Sequence, residues 1–158
     1  MKIRAEEIHQ ENFQPYGIFL DLYGDPEWIK HYTGDGFVDH MTRNPLIDTP
    51  AHLGLTVGSA APCAIRFMEK HSHTQEAILC ASDPVILCVA TARGDEPPRG
   101  EDVRAFRICP GQAVILERNV WHDACHGVHG PAAYYWLASA GESLAAWIEV
   151  AGSPELEC

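Results

Sequence analysis

The stretch Glu69-Lys70-His71-Ser72-His73-Thr74-Gln75-Glu76 contains two histidines two residues apart and a carboxylate shortly after them. On a β-strand, residues two apart project to the same side, so the imidazoles of His71 and His73 are expected to point together. Glu76 can turn its carboxylate toward them, and His122 can supply a third imidazole from a later strand. Three nitrogens and one oxygen form a ligand set that suits a divalent transition metal better than calcium or magnesium.

The residues that precede the two histidines alternate between apolar and polar and predict a β-strand that runs into them. If this alternation continues unbroken, one face of the strand carries Ile65, Phe67, Glu69, His71 and His73, and the other carries Arg66, Met68 and Lys70. A β-bulge would reverse this parity. The sequence therefore leaves open whether Glu69 or Arg66 points inward.

Several short apolar runs separated by turn residues follow the two histidines. The clearest are 77–80, 85–90, 104–108, 113–116 and 132–138. This pattern favours a β-barrel or sandwich over a helical bundle. Residues 21–50 contain scattered glycines and prolines and predict a loop-rich segment of the kind that forms a lid or an interface. The histidines in or beside this segment, His31, His40 and His52, have spacings that match no metal-ligand template.

Two separated motifs resemble those of the cupin superfamily: His-x-His followed by Glu, and later a glycine, a turn and one more histidine. Within the cupins, the chain resembles the ureidoglycolate lyase (ureidoglycolate hydrolase) family. The matching stretches are Phe13 to Gly17, Arg66 to His73, Arg104 to Phe106, and Pro110 through Arg118 to His122. The resemblance implies an all-β, single-domain cupin barrel, a double-stranded β-helix or jelly roll, over residues 1–158. Its core barrel is expected at about 52–150, with short N-terminal elements before it.

The same resemblance implies an enzyme that releases urea from ureidoglycolate and leaves glyoxylate. The expected cofactor is one divalent zinc, manganese, iron or nickel ion, held by His71, His73, Glu76 and His122. Four protein ligands on a six-coordinate metal leave two positions, which a hydroxy acid can fill with its hydroxyl and carboxylate oxygens.

Other charged and polar residues near the motifs are candidates for catalysis and substrate binding. Glu69 and His126 are candidate bases for the hydroxyl proton. His126 is also a candidate for orienting a ligand imidazole, and a surface position is a further alternative. The candidate partners for the substrate carboxylate are the cations Arg66, Lys70 and Arg118.

Other functions remain open at this point. A metal cupin can perform different chemistry, such as isomerisation or dioxygenation. A cupin pocket can also lack a metal, or bind a small ligand without converting it. Ureidoglycolate turnover, oxygen uptake with iron, and ligand-induced stabilisation without turnover distinguish these alternatives.

Composition narrows the classes of partner and the compartment. A chain of 158 residues is the size of one domain. Its formal net charge of −11 argues against nucleic acid or an anionic membrane as the main partner, since both require a basic surface.

Because the sequence has neither a secretory leader nor an apolar run of about twenty residues, a cytoplasmic location is expected. The six cysteines form no Cys-x-x-Cys pair, so no disulfides are expected there. By resemblance, we expect a homodimer that pairs edge strands.

Overall fold

Two β-sheets lie face to face across the main hydrophobic core in a computed structural model, which describes residues 1–24, 26–94, 96–141 and 146–158. In chain order the elements are β1 (Lys2–Glu7), α1 (Gln10–Phe13), β2 (Gly17–Asp21), β3 (Ile29–Gly34), β4 (Phe37–Thr42), β5 (His52–Gly58), β6 (Cys63–Ala64), β7 (Phe67–Met68), β8 (Glu76–Cys80), β9 (Val85–Ala90), β10 (Arg104–Ile108), β11 (Gln112–Leu116), β12 (Trp121–His122), β13 (His126–Gly127), β14 (Ala132–Ala138), β15 (Ile148–Glu149) and β16 (Glu155–Glu157). A short 3₁₀ turn spans Gly100–Asp102. Within the described ranges, no helix has the length and apolar character needed to cross a membrane.

The larger sheet has the strand order β12-β9-β10-β1-β16-β6, and β13 also pairs with β9. The second sheet has the order β2-β11-β8-β14-β5. Two small two-stranded ladders, β3 with β4 and β7 with β15, complete the described pairings. This architecture confirms the predicted all-β barrel.

Strand β9 shows how the alternation of side chains builds the core. Val85, Leu87 and Val89 face the space between the two sheets, where they join the cluster that contains Phe106 and Val114. The intervening residues of β9 pack on the outer side of the larger sheet, in a second cluster with Trp121 and Leu156. Because both faces are covered, all six residues of β9 are buried. The buried strand β9 pairs with β12, which carries His122.

The sheets extend beyond the predicted core of 52–150. Strand β1 pairs in parallel with both β10 and β16, and β2 pairs with β11. Both ends of the chain therefore contribute strands to the barrel. These parallel pairings join segments far apart in sequence, and no local pattern indicates them.

The segment 21–50, predicted to be loop-rich, contains an antiparallel hairpin. Strands β3 and β4 pair over six positions, from Ile29 opposite Thr42 to Gly34 opposite Phe37. Gly36, in the connection, has a φ of +82°, a conformation that glycine adopts without the steric cost of a side chain. The scattered glycines and prolines of this segment are typical of loops, so the sequence did not predict the hairpin.

Candidate active site

The backbone holds the two histidine-bearing motifs side by side. Glu69 and His122 form an antiparallel bridge in which each N–H donates to the other residue's carbonyl, both at 2.9 Å. The N–H of Asn119 donates to the carbonyl of His71 at 2.8 Å. Asn119 has a φ of +64°, so the turn before β12 uses the left-handed conformation that asparagine tolerates better than most residues. These three hydrogen bonds fix the spacing of the side chains.

Two imidazoles and two carboxylates converge at this junction. Glu76 begins β8, and its Oε2 lies 3.1 Å from Nε2 of His71 and 3.3 Å from Nε2 of His122. Oε1 of Glu69 lies 3.9 Å from Nε2 of His122. Glu69, His71 and His122 each offer one ligand atom, and these atoms all lie within 4.8 Å of one another. Such a set can hold a metal ion.

The surroundings of His122 fit a metal ligand in particular. Its side chain is 4% exposed, and Nδ1 donates to the backbone carbonyl of Val120 at 3.0 Å. That bond leaves Nε2 directed toward the two carboxylates, and Nε2 is buried without a hydrogen bond of good geometry. A buried imidazole with its Nδ1 proton fixed by a carbonyl presents its other nitrogen as metal-ligating histidines do. The residues present therefore suit a bound divalent cation.

The two carboxylates have different electrostatic surroundings. Burial alone would raise the pKa of Glu76, but its contacts with His122 and His71 outweigh burial and lower the pKa to about 2. Burial raises the pKa of Glu69, and the nearby imidazoles of His122 and His71 offset this effect only in part. Glu76 is thus a firmly ionised group, whereas Glu69 holds a proton more readily.

We expect the Glu76 interactions to make the stability of the metal-free protein depend on pH. The folded pKa of Glu76, about 2, lies below its ordinary value of 4.5, so its stabilisation is present above pH 4.5 and is lost as the pH falls toward 2. Burial opposes the proton on His122, but its contact with Glu76 raises the pKa of His122 overall, so the imidazolium partner is present below about pH 6.5. Urea unfolding of the wild type and Glu76→Gln should differ by about 3 kcal/mol near pH 5.5, and this difference should vanish near pH 2. A difference that does not change with pH would contradict the expectation.

His73 does not join this cluster. Its Nε2 hydrogen-bonds the carbonyl of Ser139 at 2.8 Å, and its ring centroid lies 6.0 Å from that of His71. The prediction assumed a continuous strand, but residues 70–75 are an irregular connection between β7 and β8 that bends at Ser72 and His73. The same-side rule for residues two apart therefore does not apply to His71 and His73. Glu69, predicted to be a base, occupies the position close to the imidazoles instead.

His126, for which the sequence left open a role as base, a place beside a ligand imidazole or a surface position, lies against Asp123. Its Nε2 lies 2.7 Å from Oδ2 of Asp123, and its Nδ1 contacts Ser59 and Cys63 at 3.2 and 3.4 Å. It does not line the cavity at the cluster. Asp123, which the sequence analysis missed, does line that cavity, and its Oδ1 accepts a hydrogen bond from the N–H of Cys88 in β9. Its position directly after His122 was the only signal in the sequence.

The three predicted carboxylate partners lie in different places. Lys70 lines the cavity, and its Nζ donates to the carbonyl of Gly94 at 3.0 Å. Arg118 lies outside the cavity and makes a two-point ion pair with Asp48, at 2.6 and 3.0 Å. Arg66 is exposed and also lies outside the cavity. Of the three, Lys70 alone lines the cavity, but its ammonium group points to Gly94 and lies 4.7 Å from the centre of the Trp121 ring, and neither of these residues lines the cavity.

The cavity beside the cluster has a volume of about 590 Å³. Its inner wall includes Tyr134 and Trp136 of β14 and Thr56 of β5, and the indole N–H of Trp136 donates to Thr56 at 3.2 Å. Trp147, which is 47% exposed, also lines it. The aromatic strand was predicted, but its contribution to the cavity depends on how the sheet curves. The site therefore combines an ionised centre with a wall that includes three large aromatic side chains, and small-molecule sites commonly join apolar walls to a few polar groups in this way.

A double-sheet β-barrel with an imidazole–carboxylate cluster beside its internal cavity defines a cupin. Solved structures support this class through their fold. The RmlC epimerase of Mycobacterium tuberculosis aligns with a TM-score of 0.52 at 12% identity, covering 90% of this chain and 70% of that one. The TDP-quinovose 3,4-ketoisomerase WlaRB of Campylobacter jejuni aligns with a TM-score of 0.50 at 11% identity, covering 77% and 88%.

Within the cupins, the chain belongs to the ureidoglycolate lyase family, whose sequence model matches residues 1–149. Ureidoglycolate lyase from Rhodobacter capsulatus is 27% identical over 138 residues, which cover 84% of this chain and 83% of the relative. Ureidoglycolate lyase from Burkholderia cepacia is 32% identical over 130 residues, covering 76% and 70%. The family predicted from the sequence is confirmed.

Proposed function

We propose that this protein is a ureidoglycolate lyase that cleaves ureidoglycolate to glyoxylate and urea. The observation that carries the proposal is the convergence of Glu69, His71, Glu76 and His122 beside a cavity, in a chain matched by this family over residues 1–149. The cavity volume of about 590 Å³ accommodates a small hydroxy acid.

The proposed reaction requires two coordinated proton movements. A base takes the hydroxyl proton, the carbon–oxygen single bond becomes a carbonyl, and the bond from that carbon to the ureido nitrogen breaks. The nitrogen leaves with the bonding electron pair and gains a proton, which gives urea. The protein must therefore supply a proton acceptor near the hydroxyl group, and it must hold the substrate carboxylate away from that acceptor.

We propose that a divalent zinc, manganese, iron or nickel ion is held by His71, Glu76 and His122, with Glu69 as a base or a fourth ligand. When bound, such an ion supplies Lewis-acid polarisation of the substrate's hydroxyl and carboxylate oxygens. His122 suits this role because Val120 fixes its Nδ1 proton and leaves Nε2 facing the cluster. Glu76 suits it because its low pKa keeps it ionised.

Glu69 is the base that we propose for the hydroxyl proton. It lines the cavity, and burial raises its pKa toward the range in which a carboxylate accepts a proton efficiently. The same burial limits access of bulk water to the carboxylate. His126 is the weaker candidate, because it reaches the cavity only through Asp123.

We propose that Lys70, which lines the cavity, exchanges its contacts with Gly94 and Trp121 for the substrate carboxylate. Lys70→Met should raise KM for ureidoglycolate about 10- to 100-fold, which corresponds to the loss of one charge-assisted hydrogen bond of roughly 1.5–3 kcal/mol. Arg66→Gln and Arg118→Gln serve as matched controls, because these cations lie outside the cavity, and they should change KM less than twofold. Steady-state kinetics decides between the three cations. A larger effect of Arg118→Gln would assign carboxylate binding to that residue instead.

The function itself is tested by product analysis with the purified protein, loaded in turn with each of the four metals. Ureidoglycolate should yield glyoxylate and urea in equal amounts. Measuring ammonia separately distinguishes carbon–nitrogen cleavage from hydrolysis of the ureido group, which gives ammonia and no urea. Ammonia without urea, or no turnover by a folded and metal-loaded protein, would overturn the proposal.

We propose a homodimer that pairs the edge strand β5 of each copy. Leu53, Leu55 and Val57 are 69%, 59% and 68% exposed on this strand, and Tyr135 lies opposite Leu55 on β14. A second copy is the favoured occupant because β5 lacks acidic and basic residues other than His52 at its start, so this patch avoids the repulsion expected between two chains of net charge −11.

Leu55→Arg should weaken this dimer by roughly a hundredfold, since it would place an unpaired charge in the contact. Sedimentation velocity across a range of concentrations measures the change. Val38→Arg provides the control, because Val38 is exposed to a similar degree, 58%, on the separate hairpin. A wild type that is monomeric at micromolar concentration would contradict the proposed contact.

We further propose that residues 1–158 act as one domain in the cytoplasm. The parallel pairing of β1 with β16 supports a single folding unit, because it joins the two ends of the chain. The six cysteines are free, which is compatible with a reducing compartment.

A further inference from the structure

The β3–β4 hairpin brings together two histidines whose spacing in the sequence matches no metal-ligand template. His31 and His40 are direct cross-strand partners. Their Nδ1 atoms lie 2.8 Å apart, the ring centroids are 4.7 Å apart, and the ring planes are nearly perpendicular at 87°. Two ring nitrogens at this distance share a proton, and one donates while the other accepts.

This pair is separate from the proposed active site. Neither histidine lines the cavity beside Glu69, His71 and His122. The hairpin forms its own two-stranded ladder, apart from the strands that carry the central cluster. A ligand at the pair would therefore bind without displacing a group of the catalytic cluster.

A neighbouring tyrosine contacts one of the two rings. Tyr23 contacts His40 edge-on, with ring centroids 5.1 Å apart. Tyr23 also covers Gly111, where the methyl group of an alanine would approach the tyrosine ring to 2.3 Å. Gly111 thus leaves room for Tyr23, which packs against one side of His40 while remaining 69% exposed. His31 is exposed and remains accessible to solutes.

We propose that His31 and His40 form a second binding site for a divalent transition metal, with the two Nδ1 atoms as ligands. Metal–nitrogen distances of about 2.0–2.1 Å at ordinary ligand angles place two such nitrogens about 2.9–3.4 Å apart. The observed 2.8 Å lies just below the short end of this range, and both rings must turn so that their Nδ1 lone pairs converge on one metal position instead of pointing at each other. When the metal replaces the hydrogen bond, the shared proton moves from Nδ1 to Nε2 of the same ring. Two neutral rings therefore bind the metal without losing or gaining a proton.

The chemistry of the pair defines the class of cation. Imidazole ligands suit copper, nickel and zinc ions, and affinity rises toward Cu²⁺ in the metal series. Water completes the coordination shell, because only two protein nitrogens are provided. The net charge of −11 favours approach of a cation to this exposed hairpin. Metal-loaded protein will consequently hold more metal than the central site alone accounts for.

Copper titration of a chain that lacks the central site tests the proposal. In a His71→Ala/His122→Ala background, Cu²⁺ should still bind at one ion per chain by calorimetry, with an electron paramagnetic resonance spectrum that shows nitrogen ligation. Adding His40→Ala or His31→Ala to this background should weaken Cu²⁺ binding at least tenfold. Adding His129→Ala, an exposed histidine outside the hairpin, should leave it unchanged.

A second measurement keeps the test independent of whether the background variant folds. In the otherwise unchanged chain, His40→Ala should lower the Cu²⁺ bound at saturation by one ion per chain while ureidoglycolate turnover stays at the wild-type rate. An equal copper content in wild type and His40→Ala would overturn the proposal. So would a folded background variant that binds no Cu²⁺.

Discussion

Replacing His122 by alanine is expected to lower kcat/KM for ureidoglycolate by roughly a thousandfold and to abolish binding of the proposed metal. His122 is 4% exposed, and its Nε2 faces both Glu69 and Glu76. Its loss removes the proposed ligand whose direction the backbone fixes through Val120. Metal catalysis contributes several kcal/mol to lowering a barrier, and each 1.36 kcal/mol corresponds to a factor of about ten in rate. Elemental analysis alongside steady-state kinetics measures both effects.

His73→Ala is the matched control for this substitution. His73 belongs to the same His-x-His motif, but its Nε2 is engaged with the carbonyl of Ser139. We therefore expect His73→Ala to retain the metal and to lose less than about tenfold in kcat/KM, because it removes one hydrogen bond at the cavity wall. If His73→Ala loses as much metal as His122→Ala, His73 is a metal ligand, as the sequence predicted. Circular dichroism of both variants excludes unfolding as the cause.

The contrast between these two histidines shows what a sequence pattern can predict about this site. The cupin barrel and the family were predictable because the two motifs occur in order and short apolar runs surround them. His71, Glu76 and His122 come together as expected, and their proposed roles still depend on the metal analysis. The position of His73 required knowledge of the bend at Ser72 and His73, since the spacing alone cannot distinguish a strand from a bend.

The unpredicted parts of the fold have separate physical causes. The pairings of β1 and β16 join residues near opposite ends of the chain, and they depend on the closed barrel. The β3–β4 hairpin did leave a local signal, because Asp35-Gly36 is a common turn dipeptide and lies between Tyr32 and Phe37. The other glycines and prolines of the segment favoured a loop, so the turn dipeptide did not lead to a predicted hairpin. As a result, the contact between His31 and His40 was not foreseen.

Glu69→Gln is expected to lower kcat about 10²- to 10⁴-fold, the range typical of losing a general base. Its carboxylate lines the cavity, and burial raises its pKa, so it can accept the hydroxyl proton. The amide keeps the shape and the hydrogen-bonding oxygen but cannot take a proton. If Glu69 is the base, the variant should keep its metal and show a nearly unchanged KM.

The same variant distinguishes a base from a ligand, because Glu69 also lies within 4.8 Å of the imidazole ligand atoms. Retained metal with a collapsed kcat assigns the base, whereas loss of metal assigns Glu69 to the coordination shell. Glu76→Gln is the informative comparison, since Glu76 contacts both imidazoles directly and should lose metal in either case. If both glutamine variants keep their metal and their kcat, the hydroxyl proton must go elsewhere. The next position to test is then Asp123, the remaining carboxylate among the described residues that line the cavity.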